Sequence, residues 1–131
     1  MARWIAEHDV RPQLVCCSTA VRARETLDRI LPSLGDVAVR QEPSLYMASV
    51  EGLLDVVREL PDVDEVMLVG HNPGLEALTV LLARPSAERD RVHEKLPTGA
   101  LVTLELAVDA WARVDAGAGT ISTLVLPREL D

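Results

Sequence analysis

Two short, wholly apolar runs constrain the fold of this chain more than any other feature of its sequence. Leu14–Cys17 reads LVCC, and the run inside Glu65–Gly70 reads VMLV. Runs of this length without polar alternation are typical of β-strands that are covered on both faces, as in parallel sheets. Helix-starting residues follow each run directly. The sequence therefore predicts strand–helix units, with a parallel sheet between two layers of helices.

Helix and strand signals continue to alternate between and beyond these runs. Amphipathic helices are predicted after Ser18 or Thr19, after Ser49 and after Asn72–Pro73, because each polar residue can cap a helix N-terminus. A further strand is predicted at Val37–Arg40. Alternation of this kind favours the α/β class over an all-helical or all-strand fold.

The C-terminal part of the chain follows a different pattern. Arg84–Lys95 is charged and predicts a loop or a short helix. Three strands in an antiparallel meander are predicted after it, namely Gly99–Val108, Ala110–Asp115 and Thr120–Leu126. We therefore expect a single α/β domain over residues 1–131. It would be a three-layer α/β/α domain with a mixed, mostly parallel central sheet and a C-terminal antiparallel meander.

Composition narrows the classes of function. The 131 residues carry a formal net charge of -8, which argues against nucleic acid or an anionic membrane as a partner. No stretch approaches the ~20 apolar residues of a membrane-spanning helix, and we expect a cytoplasmic protein. The only cysteines, Cys16 and Cys17, are adjacent, which does not suit an ordinary disulfide. No Cys, His and Asp cluster has metal-ligand spacing, so neither a metal nor a cofactor is expected.

Candidate functional residues follow the two apolar strands. Arg22 falls in the first turn of the helix after Leu14–Cys17, and His71 and Asn72 follow Glu65–Gly70. Ligands of open α/β sheets bind beyond the carboxyl ends of the strands, so these residues are expected to converge. Arg, His and a helix N-terminus together predict a phosphate-binding site.

Plainer interpretations remain open for each of these residues. Arg22 is also compatible with a solvated helix surface, His71 with a turn and Asn72 with a helix cap alone. Tyr46 and Met47 are expected to serve packing rather than function.

A cysteine-dependent phosphatase is a second chemical possibility. Cys16 and Arg22 have the Cys-x5-Arg spacing of the phosphate loop in those enzymes. That loop needs glycines to wrap the phosphate and a thiolate of low pKa. No glycine lies between Cys16 and Arg22, and Cys16 falls inside an apolar strand. The pattern therefore disfavours this alternative.

Several segments together resemble the histidine phosphatase superfamily, which has the phosphoglycerate-mutase-like fold, and within it the SixA-type phosphohistidine phosphatases. The similar segments are Ser18–Thr26, Leu68–Gly74, Lys95–Ala100 and Leu126–Leu130. The resemblance implies a metal-independent phosphatase that acts through a phosphohistidine intermediate. It implies that Arg22 and His71 bind the phosphoryl oxygens, with the backbone N–H of Asn72 as a further donor. The implied partner is a phosphorylated protein or a small phosphorylated substrate.

One departure from the family pattern affects the expected activity. Family members begin with a strand that ends in Arg-His, whose histidine is the nucleophile, and no Arg-His pair occurs in this sequence. The first central strand is therefore expected to be missing, and this chain is expected to be at most a weak phosphatase. A hydrophobic sheet edge left without that strand would reduce stability or pair with another chain. A non-catalytic phosphate-binding or adaptor domain is the alternative function.

Overall fold

The structure is a computed structural model, and it describes residues 1–127. The predicted similarity of Leu126–Leu130 to the family therefore lies largely outside the described residues. The helices are α1 (Ala2–Glu7), α2 (Val21–Ile30), α3 (Val50–Arg58), α4 (Gly74–Leu82) and α5 (Ala87–Glu94). The strands are β1 (Leu14–Cys17), β2 (Ala38–Gln41), β3 (Val66–Val69), β4 (Leu101–Leu106) and β5 (Gly119–Val125). Short 3-10 helices occupy Leu31–Ser33, Pro43–Leu45 and Trp111–Arg113.

The two apolar runs form neighbouring parallel strands, as predicted. The sheet order is β2-β1-β3, and both pairings are parallel. Cys17, the last residue of β1, is opposite Gln41 on one side and Val69 on the other. The three strands therefore end at one common edge of the sheet, from which the following segments enter α2 and α4.

Alternate residues of β1 face two separate helical layers. Val15 and Cys17 pack with α1 and α2 through Ile5, Leu27 and their neighbours. Leu14 and Cys16 pack with α3 and α4, where the buried partners are Leu53, Val57, Leu78 and Leu82. All four β1 residues are buried because the strand has a neighbour on each side and helices on both faces. The predicted α/β/α layering is confirmed.

The C-terminal part differs from the prediction in two respects. β4 and β5 pair antiparallel in a sheet of their own, so among the described strands the central sheet is purely parallel rather than mixed. The expected middle strand of the meander, Ala110–Asp115, instead contains the 3-10 helix, which leaves a hairpin. Trp111 donates from Nε1 to the Val63 carbonyl at 2.8 Å, and Val114 is fully buried. Residues three apart share a side in a 3-10 helix, whereas a strand would turn them to opposite faces.

The charged segment between these parts forms a helix. Ser86 caps α5 by accepting a hydrogen bond from the Arg89 N–H at 3.0 Å, and Val92 on that helix is fully buried. None of the helices in residues 1–127 has the length and apolar character needed to cross a bilayer.

Candidate phosphoryl-binding site

A cavity of about 770 Å³ opens at the carboxyl edge of the parallel sheet. Its walls come from the start of α2, from the loop that precedes α3 and from the segment leading into α4. Arg22, His71 and Asn72 all line it. The structure thus brings the three candidate residues to one place, whereas their roles stay a prediction.

The exits of β1 and β3 are connected by the backbone of Ser18. Its N–H donates to the Val69 carbonyl at 2.9 Å, which extends the parallel pairing one residue beyond the strands. The fully buried Ser18 hydroxyl accepts from the Ala20 N–H at 3.2 Å. Ala20, and not the predicted Ser18 or Thr19, is the N-cap of α2, because the Ser18 side chain stabilises the turn that precedes the helix. This turn brings the first turn of α2 beside the start of α4.

Arg22 lines the cavity near the start of α2. The side chain is exposed, and it forms no hydrogen bond or ion pair with any other residue of the described chain. Other arginines are engaged: Arg58, for example, donates to the Val114 carbonyl at 2.8 Å. The five N–H donors of Arg22 are therefore available to an anion in the cavity.

His71 is half-buried, and its ring lies against an aromatic neighbour. The Tyr46 ring meets it edge-on, with 6.4 Å between the centroids and an interplanar angle of 89°. The Nε2 atom of His71 is buried and has no hydrogen-bond partner within residues 1–127. A buried ring nitrogen without a partner costs stability, which a ligand group bonded to it would recover.

The Asn72 side chain caps α4, although Asn72 is not the N-cap residue. The Asn72–Pro73 peptide is cis, and α4 begins at Gly74 with Pro73 at its N-cap. The Asn72 side chain nevertheless caps the helix from one residue further back, because Oδ1 accepts from the Glu76 N–H at 3.2 Å. Its Nδ2 donates to the Leu96 carbonyl at 2.5 Å. The side chain is therefore occupied by the protein.

Backbone donors at the start of α4 are only partly available. The Leu75 N–H is bonded to the His71 carbonyl at 3.0 Å, and the Glu76 N–H to Asn72. The N–H groups of Asn72 and Gly74 have no partner in the described part of the chain. They are the donors that the positive end of the helix dipole could offer to a phosphoryl oxygen.

The two cysteines do not contribute to the cavity. Cys16 and Cys17 are fully buried in opposite faces of the sheet. Burial raises the pKa of each thiol above the ordinary value of 9.0, which opposes formation of a thiolate. This arrangement argues against a cysteine-dependent phosphatase that uses Cys16 with Arg22. Within residues 1–127, no three His, Cys, Asp or Glu side chains are grouped as a metal site would require.

Sequence reasoning missed part of the cavity wall. Tyr46 and Met47 were expected to pack, but both are exposed and line the cavity together with Val21. The signal in the sequence was weak, because an apolar residue next to Leu45 at the end of a short turn is as compatible with burial as with exposure. Leu45 is buried and its two successors are not.

Comparison with known proteins gives consistent relatives. No family model matches the chain. The uncharacterized proteins MT1313 and Rv1276c, from two strains of Mycobacterium tuberculosis, are each 32% identical over 130 residues, which covers 95% of this chain and 80% of either relative. The uncharacterized protein ML1117 of Mycobacterium leprae is 27% identical over 129 residues, with 95% and 78% covered.

Solved structures share the fold over nearly the whole chain. The SixA protein of Nakamurella multipartitia, a candidate phosphohistidine phosphatase, superposes with a TM-score of 0.80 at 26% identity, covering 96% of this chain and 77% of that one. The corresponding candidate from Agrobacterium tumefaciens gives 0.74 at 27% identity, with 96% and 75% covered. A protein histidine phosphatase SixA complexed with tungstate gives 0.77 at 21% identity, covering 99% and 78%, a likeness of fold alone.

Proposed function

Because the chain belongs to the histidine phosphatase superfamily and has a SixA-like fold, we propose that its cavity binds the phosphoryl group of a phosphorylated substrate. The proposed activity is that of a metal-independent phosphatase acting on phosphohistidine in a protein or on a small phosphorylated molecule. One observation carries the proposal. Two unpartnered groups, the Arg22 guanidinium and His71 Nε2, belong to side chains that line the same cavity.

The chemistry of these groups suits a phosphoryl group. A guanidinium can bind two phosphoryl oxygens at once through parallel N–H donors. A His71 ring protonated at Nε2 donates to a third oxygen, and the N–H groups of Asn72 and Gly74 supply further donors. Phosphoryl transfer depends mainly on donors that are already in position where negative charge is spread over the oxygens.

A phosphatase of this kind needs a nucleophile. Attack by a histidine nitrogen in line with the leaving group would form a phosphohistidine, which water then hydrolyses. Of the histidines in the sequence, His8 stacks on Trp4 at 4.0 Å and His93 lies on α5, and neither lines the cavity. We therefore propose that this chain binds a phosphorylated substrate and hydrolyses it weakly at most.

The alternative is a non-catalytic phosphate-binding or adaptor domain, and the set of histidines that line the cavity favours it. His71 is the one histidine that lines the cavity among residues 1–127, and two histidines are needed if one attacks while another stabilises the oxygens. Both functions require that the cavity binds phosphate. They differ in whether the bound substrate is then hydrolysed.

Titration with inorganic phosphate and with tungstate tests the binding site. Replacing Arg22 by Ala should weaken binding of both anions at least tenfold, because a hydrogen bond to a charged group contributes about 1.5–3 kcal/mol. Arg29→Ala, a change on the same helix at an exposed position outside the cavity wall, is the matched control and should leave affinity unchanged. Binding by the unmodified chain that Arg22→Ala does not affect would contradict the proposed site.

Hydrolysis of 4-nitrophenyl phosphate then separates the two functions. Turnover at ordinary enzyme rates that His71→Ala abolishes would establish a phosphatase and show that no further nucleophile is needed. Binding without turnover would favour the adaptor domain. Turnover abolished by Cys16→Ser instead would support the cysteine-dependent alternative.

A further inference from the structure

Large apolar side chains that are exposed concentrate at the mouth of the cavity. Within residues 1–127, four such side chains are exposed: Val21 at 67%, Val39 at 42%, Tyr46 at 54% and Met47 at 82%. Three of them, Val21, Tyr46 and Met47, line the cavity. We call these three the apolar rim. Isolated apolar residues on a surface need no explanation, but their clustering around one cavity is typical of a binding site.

The loop that carries Tyr46 and Met47 is anchored at both ends. Before it, Leu45 is buried in the core between the sheet and α3. After it, the Ser49 hydroxyl caps α3 by accepting from the Gly52 N–H at 3.1 Å. The two rim side chains are therefore exposed on a held backbone rather than at the tip of a free loop.

Close packing against α4 fixes the position of this loop further. A Cβ atom on Gly74 would lie 3.2 Å from the Ala48 carbonyl oxygen and 3.1 Å from Leu53 Cδ1. Glycine at this position lets α4 begin close to Ala48 without displacing its neighbours. This packing places the loop that carries Tyr46 and Met47 beside the start of α4.

Met47 itself is held in an unfavourable conformation. Its φ is +50°, in the left-handed region that residues with a long side chain rarely adopt. This strain opposes folding stability, and with 82% of the residue exposed, the side chain gains little from burial. Such a combination beside a cavity points to a role in binding.

The rim adjoins the proposed phosphoryl position. Tyr46 contacts the His71 ring edge-on, so an apolar surface begins where the phosphoryl-binding groups end. The cavity of about 770 Å³ is in the size range of sites that bind a whole small ligand rather than a phosphate alone. The part of the substrate next to phosphorus would therefore lie against the rim.

We propose that Val21, Tyr46 and Met47 determine substrate specificity by binding the group that carries the phosphate. The site then prefers phosphate attached to a flat, apolar ring, as in an aryl phosphate, over phosphate attached to a hydroxylated aliphatic chain. Ring faces gain from contact with Tyr46 and with the Met47 thioether, whereas hydroxyl groups would lose water there without gaining a partner. The inference rests on the proposed function, because it needs the phosphoryl group to be held by Arg22 and His71.

Calorimetric titration with three ligands tests this preference. Phenyl phosphate should bind roughly tenfold more tightly than glycerol 2-phosphate, from partial burial of one ring. Met47→Gly, which also relieves the backbone strain, and Tyr46→Ala should each reduce that ratio to below about threefold. Inorganic phosphate should bind Met47→Gly and the unmodified chain alike. Val39→Ala, at the one exposed apolar position of the four that is outside the cavity, is the matched control and should preserve the ratio.

The possible failures are distinguishable. Equal affinity for phenyl phosphate and glycerol 2-phosphate, with inorganic phosphate still bound, overturns the role of the rim and leaves the proposed function standing. The same conclusion follows if the rim variants reduce the affinity for all three ligands equally. Absence of phosphate binding overturns both. Self-association of the unmodified chain that Met47→Gly abolishes would overturn the inference by identifying the rim as an interface between copies.

Discussion

Replacing Asn72 by Ala separates a structural role of this residue from a role in ligand binding. The change removes two hydrogen bonds, the 2.5 Å bond to the Leu96 carbonyl and the 3.2 Å cap on the Glu76 N–H. Leu96 is only 9% exposed, so its carbonyl would be left without a partner in a largely dry position. At about 1 kcal/mol for each bond, the free energy of unfolding should fall by roughly 2 kcal/mol. A domain of this size has about 5–15 kcal/mol in total.

Urea denaturation followed by circular dichroism measures this loss. With a slope of about 2 kcal/mol per molar urea, the midpoint should move down by roughly 1 M. Asn72→Asp is the informative companion, since a carboxylate keeps the cap on Glu76 but cannot donate to Leu96. It should therefore also be less stable than the unmodified chain.

For Asn72→Ala, we also expect a defined result in the phosphate titration. The Asn72 side chain is occupied by the protein, whereas its backbone N–H has no partner within residues 1–127. Phosphate affinity of Asn72→Ala should thus stay within about threefold of the unmodified chain under conditions where the variant is folded. An unchanged urea midpoint together with a tenfold loss of phosphate affinity would refute the reasoning and make the side chain a ligand.

Three further predictions concern the packing around the cavity and the buried thiols. Gly74→Ala should lower the free energy of unfolding by about 1–2 kcal/mol because its Cβ would crowd Ala48 and Leu53. Gly52→Ala, on α3 with its nearest neighbour at 3.5 Å, should be neutral or stabilising. Thermal denaturation compares the two variants. Burial raises the pKa of both thiols, so the unfolded chain loses these protons first, and urea titrations should show stability falling as the pH rises above about 9. A flat profile would contradict this. Cys16→Ala should leave phosphate binding unchanged in the titration, and a loss of binding would return the cysteine to the site.

Local patterns in the sequence were sufficient to predict the central layers of the fold. Uninterrupted apolar runs at Leu14–Cys17 and Val66–Val69 are compatible with few structures except strands covered on both faces, and the structure has both as parallel neighbours. Because parallel strands end at one edge, the approximate meeting place of Arg22 and His71 also followed from the chain alone. In the C-terminal part, the prediction of a strand at Ala110–Asp115 was wrong because so short a segment does not show a clear hydrophobic period. A strand would turn Trp111 and Val114 to opposite faces, whereas a 3-10 turn puts them on one side. The bond from the Trp111 indole to the Val63 carbonyl, far along the chain, favours the turn.

The sequence by itself determined which residues are apolar enough to require burial and where each helix could begin. Only the tertiary structure decided which distant segment packs over those residues. The Asn72 side chain is bonded to Leu96, 24 residues away, and no local pattern distinguishes this from a simple cap. Tyr46 and Met47 stay exposed because α4 packs against Ala48 through Gly74 and leaves the two side chains outside. Burial is a property of the assembled neighbours of a residue, whereas propensity and period belong to the residue and its own element.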